Sequence, residues 1–296
     1  MTDTSRVLFD APGPRARRRI AVVTVASILV IAGLIALALV QFAKHHQLDS
    51  DRWEPFTRAP YIRFLWQGVK GTLKATAVAA VLSFPLGALM ALLRLSPNRV
   101  VRWIARIYIE IFRSVPLLLL IYAFLLALPR YRSTWSGFNL PIFWKLVVPI
   151  VLVNVAILAE VFRAGVNSLD SGQSEAGKAI GLTYWQTMRL VVFPQAIRVV
   201  IPLLITGLVS LLKDTTLGYV VSYPELMKTA TTLTGLTHIL IQTYLIVALV
   251  YVVVNALLSQ LAHYIERRLR RGRRSAGAAR VVGDLEAREP AVAVMR

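Results

Sequence analysis

Long apolar blocks alternate with short polar segments along the chain, and this pattern predicts membrane-spanning helices. A helix needs about 20 apolar residues to cross the hydrocarbon core of a bilayer. The third block is short, and the apolar face of residues 103–112 extends it at its amino-terminal side. We therefore expect an all-α polytopic membrane protein with six transmembrane helices, whose apolar blocks are residues 20–42, 65–93, 115–128, 143–162, 191–221 and 239–261.

The composition indicates that lipid, rather than water, surrounds most of the chain. Of the 296 residues, 56% are hydrophobic and 17% are charged, whereas soluble domains are about half apolar and one quarter charged. The net charge of +19 would suit nucleic acid. The lysines and arginines, however, cluster at the ends of the apolar blocks, as they do in membrane proteins. We expect no nucleic-acid partner.

Catalytic and metal chemistry have few candidate residues. The chain has no cysteine, which excludes disulfides and thiolate ligands. Its four histidines show no metal-ligand spacing, and the spans contain no nucleophile beside a base. We expect no catalytic residue and no metal site, which leaves a membrane enzyme as the weaker alternative.

The distribution of positive charge predicts the orientation. The segments proposed to lie inside carry 23 lysines and arginines, and those proposed to lie outside carry 8. Cytoplasmic loops are the ones enriched in these residues, so both termini are expected in the cytoplasm of a bacterial inner membrane. A cleaved signal peptide is the rival interpretation of the first block, because Ala36 and Ala38 form a small-x-small pair. The apolar run continues to Phe42, which favours an uncleaved anchor.

These observations divide the chain into five predicted segments. They are a cytoplasmic basic tail (1–19), an extra transmembrane helix (20–42), an extracytoplasmic loop (43–60), a transmembrane core (61–265) containing a cytoplasmic loop (166–194), and a basic cytoplasmic tail (266–296). The last tail lacks apolar periodicity and is expected to be disordered.

The first half of the cytoplasmic loop predicts a short helix that ends at a glycine. Ser171 or Ser174 is placed to cap the helix, and Glu175 is expected in the first turn, where a carboxylate meets the positive helix end. Gly181 is expected to end the helix, because glycine tolerates the left-handed conformation.

The second half predicts another helix. Thr183 and Gln186 have the spacing of a capping box. Trp185, Met188 and Val192 then fall on one helical face before Pro194, so the loop is expected to present apolar side chains to a protein partner.

This loop resembles the EAA loop of ABC-importer permeases. Glu175, Ala176, Gly181 and Pro194 match that motif at its spacing, while Gly177, Val191 and Phe193 stand where the motif has Ala, Ile and Leu. Residues 172–178 nearly spell a phosphate-binding loop, but Ala179 follows where a hydroxyl is needed for Mg²⁺. The chain itself is therefore not expected to bind ATP.

Further motifs narrow the resemblance to the polar amino-acid branch of these permeases, the glutamate, glutamine and histidine type. The similarity covers about residues 60–265, and the first span and long tails are similar to actinobacterial glutamate permeases. The motifs that carry it are residues 108–116 (YIEIFRSVP), 159–163 (AEVFR), 171–173 (SGQ), 194–196 (PQA), 201–202 (IP) and 213–215 (KDT).

The resemblance implies a five-helix type I importer core with one extra amino-terminal helix. It implies a transport subunit without enzyme activity that binds no cofactor. ATP and Mg²⁺ are expected to bind a separate partner, a cytoplasmic ATPase dimer. The other implied partners are a second permease chain, identical or related, an extracytoplasmic substrate-binding protein, membrane lipid and the amino-acid substrate. The residues expected to couple to the ATPase are Glu175, Ala176, Gly177, Gly181, Trp185, Met188 and Pro194.

Polar residues inside the spans are candidates for the substrate pathway, because burying them in lipid is costly. Lys213, Asp214, Thr215 and Thr216 offer a cation, an anion and two hydroxyls to an amino acid, and Asn154 is a further candidate. Alternatively, Lys213 and Asp214 neutralise each other and Asn154 joins helices. A secondary transporter or channel working without an ATPase would also explain buried charges.

Two acid–base pairs recur fifty residues apart. Glu110 and Arg113, like Glu160 and Arg163, are three residues apart and thus neighbours on a helix face. The favoured interpretation is two ion pairs that anchor helix ends, and the alternative is a gate or substrate contact.

Overall fold

The structure, a computed structural model, describes residues 13–130, 140–264 and 266, and the regular secondary structure of these residues is entirely helical. The predicted carboxy-terminal tail, except for Glu266, and most of the predicted outer loop at 129–141 lie outside the described residues. Five helices are long and apolar enough to cross a membrane, or six if a bent pair of helices counts as one span. The predicted all-α polytopic fold is confirmed.

The chain divides into two units, Met1–Tyr61 and Ile62–Arg296. The first unit contains α1 (Pro14–Lys44), the short helix α2 (Ser50–Trp53) and a 3₁₀ turn (Glu54–Thr57). The helix α1 begins before the predicted apolar block because Pro14, whose φ is already fixed near the helical value, occupies one of its first two positions.

The second unit contains most of α3 (Ala59–Arg94) and the remaining spans. Its other elements are α4 (Arg99–Ser114), α5 (Leu117–Arg130), α6 (Ile142–Asn167), α7 (Ser171–Ala179), α8 (Tyr184–Thr187), α9 (Phe193–Asp214), a 3₁₀ turn (Thr215–Tyr219), α10 (Leu226–Thr237) and α11 (Leu240–Tyr264). The helix α6 is the most buried span and packs against α4, α5 and α9.

The core of this unit is formed where small residues of α3 let α6 approach. Ala75 and Ala79 of α3 are fully buried with Ile150 of α6 and Leu211 of α9 in one hydrophobic cluster. Small side chains at such contacts allow close backbone approach between helices in lipid. About 61% of the apolar stretch of α6 is buried in the protein, and its remaining apolar side chains are suited to contact with lipid.

The third predicted span is not one straight helix, which corrects the expectation for residues 103–128. The helices α4 and α5 meet at an angle of 94°. Pro116 lacks the N–H of a helical residue and drives the residue before it out of the helical region. Val115 accordingly has φ −81° and ψ 124°, so the chain turns sharply at this point.

The fifth span begins at Tyr184 rather than near Val191, because α8 continues into α9. Residues Met188–Val192 form a π-helical turn between the two helices. Pro194 follows this turn, and because it has no N–H to donate, the widened turn accommodates it without ending the helix. The continuous helix Tyr184–Tyr219 has 36 residues, about 54 Å at 1.5 Å per residue, and therefore extends beyond a hydrocarbon core of about 30 Å.

Candidate functional site

The segment 170–194, between α6 and α9, forms a helix, a turn and a second helix. Asp170 caps α7 by accepting a hydrogen bond from the backbone N–H of Gly172 at 2.7 Å. The predicted caps Ser171 and Ser174 are therefore wrong, because both serines lie inside the helix, which begins at Ser171. Glu175 is exposed and lies beyond the first turn of α7, so its expected interaction with the helix end is also wrong.

The predicted glycine turn is confirmed at the end of α7. Gly181 has φ +84°, a conformation that glycine adopts without steric cost. Its N–H donates to the carbonyl of Lys178 at 2.9 Å, and the N–H of Leu182 donates to that of Gly177 at 3.1 Å. These two bonds form a Schellman motif, which reverses the chain toward α8.

The predicted capping box at the start of α8 is confirmed too, but the exposed apolar surface differs from the expected one. Thr183 and Gln186 form both bonds of the box. Trp185 is 45% exposed, whereas Met188 is 7% exposed and Val192 is 6% exposed. Met188 and Val192 are the first and last residues of the π turn, and both pack into the protein. Ile180 and Leu190 are the exposed apolar residues that the sequence pattern did not single out.

Gly177 lies where α7 and α8 approach most closely. A Cβ atom on this residue would lie 2.6 Å from Cγ2 and 3.0 Å from Oγ1 of Thr187. Alanine, which the related motif has at this position, requires Thr187 to move. Gly177 therefore keeps the two short helices in contact rather than loosening the first of them.

Side chains join the 170–194 segment to the spans on both sides. The hydroxyl of Tyr184 donates to the carbonyl of Leu95, in the turn between α3 and α4. The amide of Gln195, in α9, donates to the Gln173 side chain in α7 at 3.0 Å. A force applied to α7 or α8 would thus be transmitted to three spans.

The five candidates for the substrate pathway separate into two groups. Asn154 is buried and donates to Asp214 Oδ2 at 3.0 Å, which joins α6 to α9. Thr215 is fully buried, and its hydroxyl donates to the carbonyl of Leu212. The predicted alternative for Asn154, a contact between helices, is the one this geometry favours. Lys213 is exposed, and within the described residues it forms no ion pair with Asp214.

Lys213 and Thr216 line a cavity of about 410 Å³. Its far wall comes from α11, through Tyr251, Val252 and Asn255. The side-chain oxygen Oδ1 of Asn255 is buried and accepts no hydrogen bond from the described residues. A lysine side chain therefore lines this cavity, and Asn255 contributes a buried carbonyl oxygen to its wall.

Glu225 is a polar residue that the sequence pattern missed. It is fully buried and accepts hydrogen bonds from the backbone N–H groups of Met227 at 2.8 Å and Lys228 at 2.6 Å, which caps α10. The Tyr251 hydroxyl also donates to it, at 2.8 Å. The signal that was available is an acid directly before a helical pattern, together with two polar residues, Tyr251 and Asn255, in the mostly apolar middle of α11.

The two recurring acid–base pairs behave differently. Glu160 lies between Arg163, at 2.7 Å, and Arg94, at 3.7 Å, which ties the end of α3 to α6. Glu110 pairs with Arg106 at 2.6 Å, so its expected pairing with Arg113 is wrong. On a helix, Arg106, four residues before Glu110, is as close to it as Arg113, three residues after it. The carboxylate pairs with the earlier arginine.

Residues 83–271 match the model of a family described as the binding-protein-dependent transport system inner membrane component. The chain belongs to this family. The permease is 34% identical over 212 residues to the glutamate/aspartate import permease protein GltK of Escherichia coli O6:H1, covering 71% of this chain and 95% of that protein. It is 33% identical to the glutamate transport system permease protein GluD of Corynebacterium glutamicum, covering 77% and 83% of the two chains.

A solved structure agrees with this assignment. A crystal structure of an amino acid ABC transporter with histidines superposes with a TM-score of 0.65 at 30% identity, covering 72% of the permease and 97% of that chain. The chain is thus a multi-pass membrane permease of the ABC amino-acid importers, as its EAA-like loop and the polar amino-acid motifs predict.

Proposed function

We propose that this permease imports an acidic amino acid, glutamate or a close relative, driven by ATP hydrolysis on a separate ATPase that docks on residues 170–194. The observation that carries the docking site is the ordered helix–turn–helix with exposed apolar side chains, Ile180 at 77% and Trp185 at 45% exposure. An exposed apolar patch on an ordered surface is typical of a protein contact. Glu175 and Ala176 are exposed on the same segment.

The contacts within residues 170–194, and from this segment to the spans, suit the transmission of conformational change. Its two short helices are held together at Gly177 and Thr187, and its contacts reach Leu95 and α9. Rigid elements with tight contacts carry displacement farther than flexible loops do. An ATPase that moves this segment would therefore move the ends of the spans as well.

The cavity between α9 and α11 supports an amino-acid pathway. An amino acid carries a carboxylate, which suits the ammonium group of Lys213 in the cavity lining. It also carries an ammonium group, which suits the hydroxyl oxygen of Thr216 in the same lining. The names of the relatives from E. coli and C. glutamicum, which include glutamate, support an acidic substrate. A second permease chain and an extracytoplasmic substrate-binding protein complete the proposed importer.

The orientation is part of the proposal. Positive charge favours a cytoplasmic location of both termini and of the 170–194 segment, where an ATPase and its ATP are available. Reporter fusions at residues 50 and 175 test this, with the first expected outside and the second inside. A cytoplasmic residue 50 would overturn the orientation.

Transport by proteoliposomes tests the function. The permease is reconstituted with its ATPase and binding protein, and uptake of labelled glutamate is measured with and without ATP, and with unlabelled aspartate, glutamine or arginine as competitors. We expect ATP-dependent glutamate uptake that ionophores do not abolish and that aspartate inhibits best. Uptake without ATP that collapses with the ion gradient would indicate a secondary transporter instead.

The variant Lys213→Ala tests the cavity within the same assay. We expect a loss of glutamate uptake of about tenfold, with the ATPase still bound, because Lys213 is the cationic partner that the described part of the cavity lining offers to the substrate carboxylate. The matched control is Lys228→Ala, which removes a lysine of α10 that does not line the cavity. Normal uptake by Lys213→Ala would exclude this cavity from the pathway.

A further inference from the structure

The helix α4 (Arg99–Ser114) has three distinct faces, of which only one contacts the protein core. On the inner face Ala105 and Ile109 are buried, at 2% and 1% exposure. The hydroxyl of Tyr108 on the same side donates to the carbonyl of Leu152, in the middle of α6, at 3.0 Å. This face holds α4 against α6.

The second face is apolar and exposed. Val100, Trp103, Ile104 and Ile111 are 65%, 63%, 58% and 51% exposed. With 3.6 residues per turn they occupy a sector of about 100° around the helix. Four large apolar side chains on one ordered face form a patch that water solvates poorly.

The third face is basic and borders the apolar one. Arg99, Arg102, Arg106 and Arg113 fall within a sector of about 60°, and Trp103 lies next to it on the apolar side. Glu110 neutralises Arg106 at 2.6 Å, and Arg102 donates to the carbonyl of Ser96 at 2.9 Å. No carboxylate of the described residues forms an ion pair with Arg99 or Arg113, so at least three positive charges remain without a counter-charge.

The bend at Pro116 determines how these faces meet a membrane. Because α4 and α5 are 94° apart, α4 lies close to the membrane plane if α5 follows the bilayer normal. A helix in the membrane plane that carries an apolar face beside a basic face, with tryptophan between them, has the pattern of interfacial helices that bind anionic lipid.

We propose that the outer surface of α4 is a binding site for anionic phospholipid, with the acyl chains on the Val100–Trp103–Ile104–Ile111 face. One phosphate lies beside Arg99 and Arg102, and a second lies beside Arg113, about 21 Å from Arg99 along the helix. Guanidinium groups bind phosphate oxygens in a forked geometry that suits a headgroup. The contact between Tyr184 and Leu95 places the start of α4 beside the 170–194 segment. A lipid bound here therefore lies next to the proposed ATPase docking site, in the same leaflet.

A protein occupant fits this surface less well. An ATPase would leave the apolar face of α4 in lipid or water, and a second permease chain would need to supply carboxylates at membrane depth to match three arginines, which is costly. Phospholipid supplies both the apolar and the anionic part in one molecule. These two alternatives remain as outcomes of the test.

The experiment uses the purified full-length permease in lipid nanodiscs. Phosphatidylglycerol is titrated into a background of phosphatidylcholine, and its binding is followed by the quenching of Trp103 fluorescence by brominated phosphatidylglycerol. The Trp103 signal is obtained by subtracting the fluorescence of the Trp103→Phe protein. The test variant is Arg99→Gln with Arg102→Gln, the two arginines next to Trp103, and the matched control is Arg63→Gln with Arg198→Gln, two exposed arginines of α3 and α9. Arg99→Lys with Arg102→Lys keeps the charge.

We expect the test variant to weaken phosphatidylglycerol binding at Trp103 by about 10- to 30-fold, since each basic residue near an anionic surface contributes about 1 kcal/mol. The control and the lysine variant should bind within about threefold of the unmodified permease. Brominated phosphatidylcholine should quench all proteins equally, which shows that the helix remains in the membrane. Unchanged phosphatidylglycerol binding by a variant that elutes as the intact protein would overturn the proposal. The proposal would also be overturned if the test variant kept its phosphatidylglycerol binding but no longer bound the ATPase or no longer formed permease dimers.

Discussion

The hydroxyl of Tyr251 donates a hydrogen bond to the buried carboxylate of Glu225 at 2.8 Å. The two residues are 26 positions apart, one in the middle of α11 and the other at the start of α10. Tyr251 also lines the cavity that contains Lys213 and Asn255. Glu225 therefore orients a side chain of the cavity and also caps α10. The first residue of α10 is in turn bound to α3, because the Leu226 N–H donates to Thr72 Oγ1 at 3.1 Å.

Tyr251→Phe should raise the KM for glutamate uptake by about three- to tenfold, with a smaller effect on kcat, because the cavity loses a polar group without losing packing. Glu225→Gln should have a milder effect. Its amide oxygen still caps α10, and its amide nitrogen donates to the phenolic oxygen of Tyr251 in the reverse direction. Uptake measured over a range of glutamate concentrations checks both. An unchanged KM in Tyr251→Phe would show that this hydroxyl does not contact the pathway.

The stability of the permease should fall as the pH rises from about 4.5 to about 7. Burial raises the pKa of Glu225 to about 7, against donors from Met227, Lys228 and Tyr251 that act in the opposite direction. The folded protein therefore binds this proton more tightly than the unfolded chain does, so the free energy of unfolding decreases with pH between the two pKa values and levels off above the higher one.

Thermal unfolding in nanodiscs between pH 5 and pH 8 checks this expectation. Glu225→Gln, which carries no titrating proton, should flatten the decrease in this range, and at 1.36 kcal/mol per pKa unit the effect is at most a few kcal/mol. Lys228→Gln is the control. It changes a neighbouring side chain that is only partly buried, and it leaves the Glu225 carboxylate in place. An identical pH dependence in Glu225→Gln and the unmodified permease would contradict the assignment.

Gly181→Val should uncouple ATP hydrolysis from uptake, or release the ATPase, while leaving membrane insertion intact. A β-branched residue resists the φ of +84° at this position, so the reversal between α7 and α8 is lost. Gly181→Asn should be tolerated better, because asparagine adopts the left-handed conformation more readily. The measurements are ATPase co-purification and substrate-stimulated hydrolysis.

Gly235→Ala serves as the control for this experiment, because a Cβ there meets no atom within 4 Å. It should leave both quantities unchanged. If Gly181→Val also has normal values, residues 170–194 are not the coupling element.

Gly177→Ala should weaken coupling through a clash rather than through helix propensity. The added Cβ would lie 2.6 Å from Cγ2 of Thr187, although alanine by itself favours a helix by about 1 kcal/mol over glycine. Thr187→Ala removes the two atoms nearest to the added Cβ, so the double variant should recover most of the coupled activity. A double-mutant cycle on substrate-stimulated ATP hydrolysis measures the interaction, expected at roughly 0.5–3 kcal/mol. Additive effects of the two substitutions would mean that the clash is absent.

Features that depend on a few neighbouring residues could be predicted from the sequence. The apolar blocks predict the spans, because a helix satisfies its own backbone hydrogen bonds and needs only enough apolar length to cross lipid. The Gly181 turn and the Thr183–Gln186 capping box are also local, since each involves groups within five positions. The EAA-like spacing identified the family for the same reason.

Tertiary packing decided the rest. Within a span, the sequence does not distinguish a polar residue that joins helices from one that lines a cavity, since both avoid lipid. In the structure, Asn154 contacts Asp214, 60 positions away, whereas Lys213 lines the cavity. The π turn at Met188–Val192 and the 94° bend before α5 were not predicted. A proline in an apolar block either is accommodated by a widened turn, as at Pro194, or breaks the helix, as at Pro116. Glu225 acquires Tyr251 as a partner only because α10 and α11 meet, which no local pattern of apolar residues encodes.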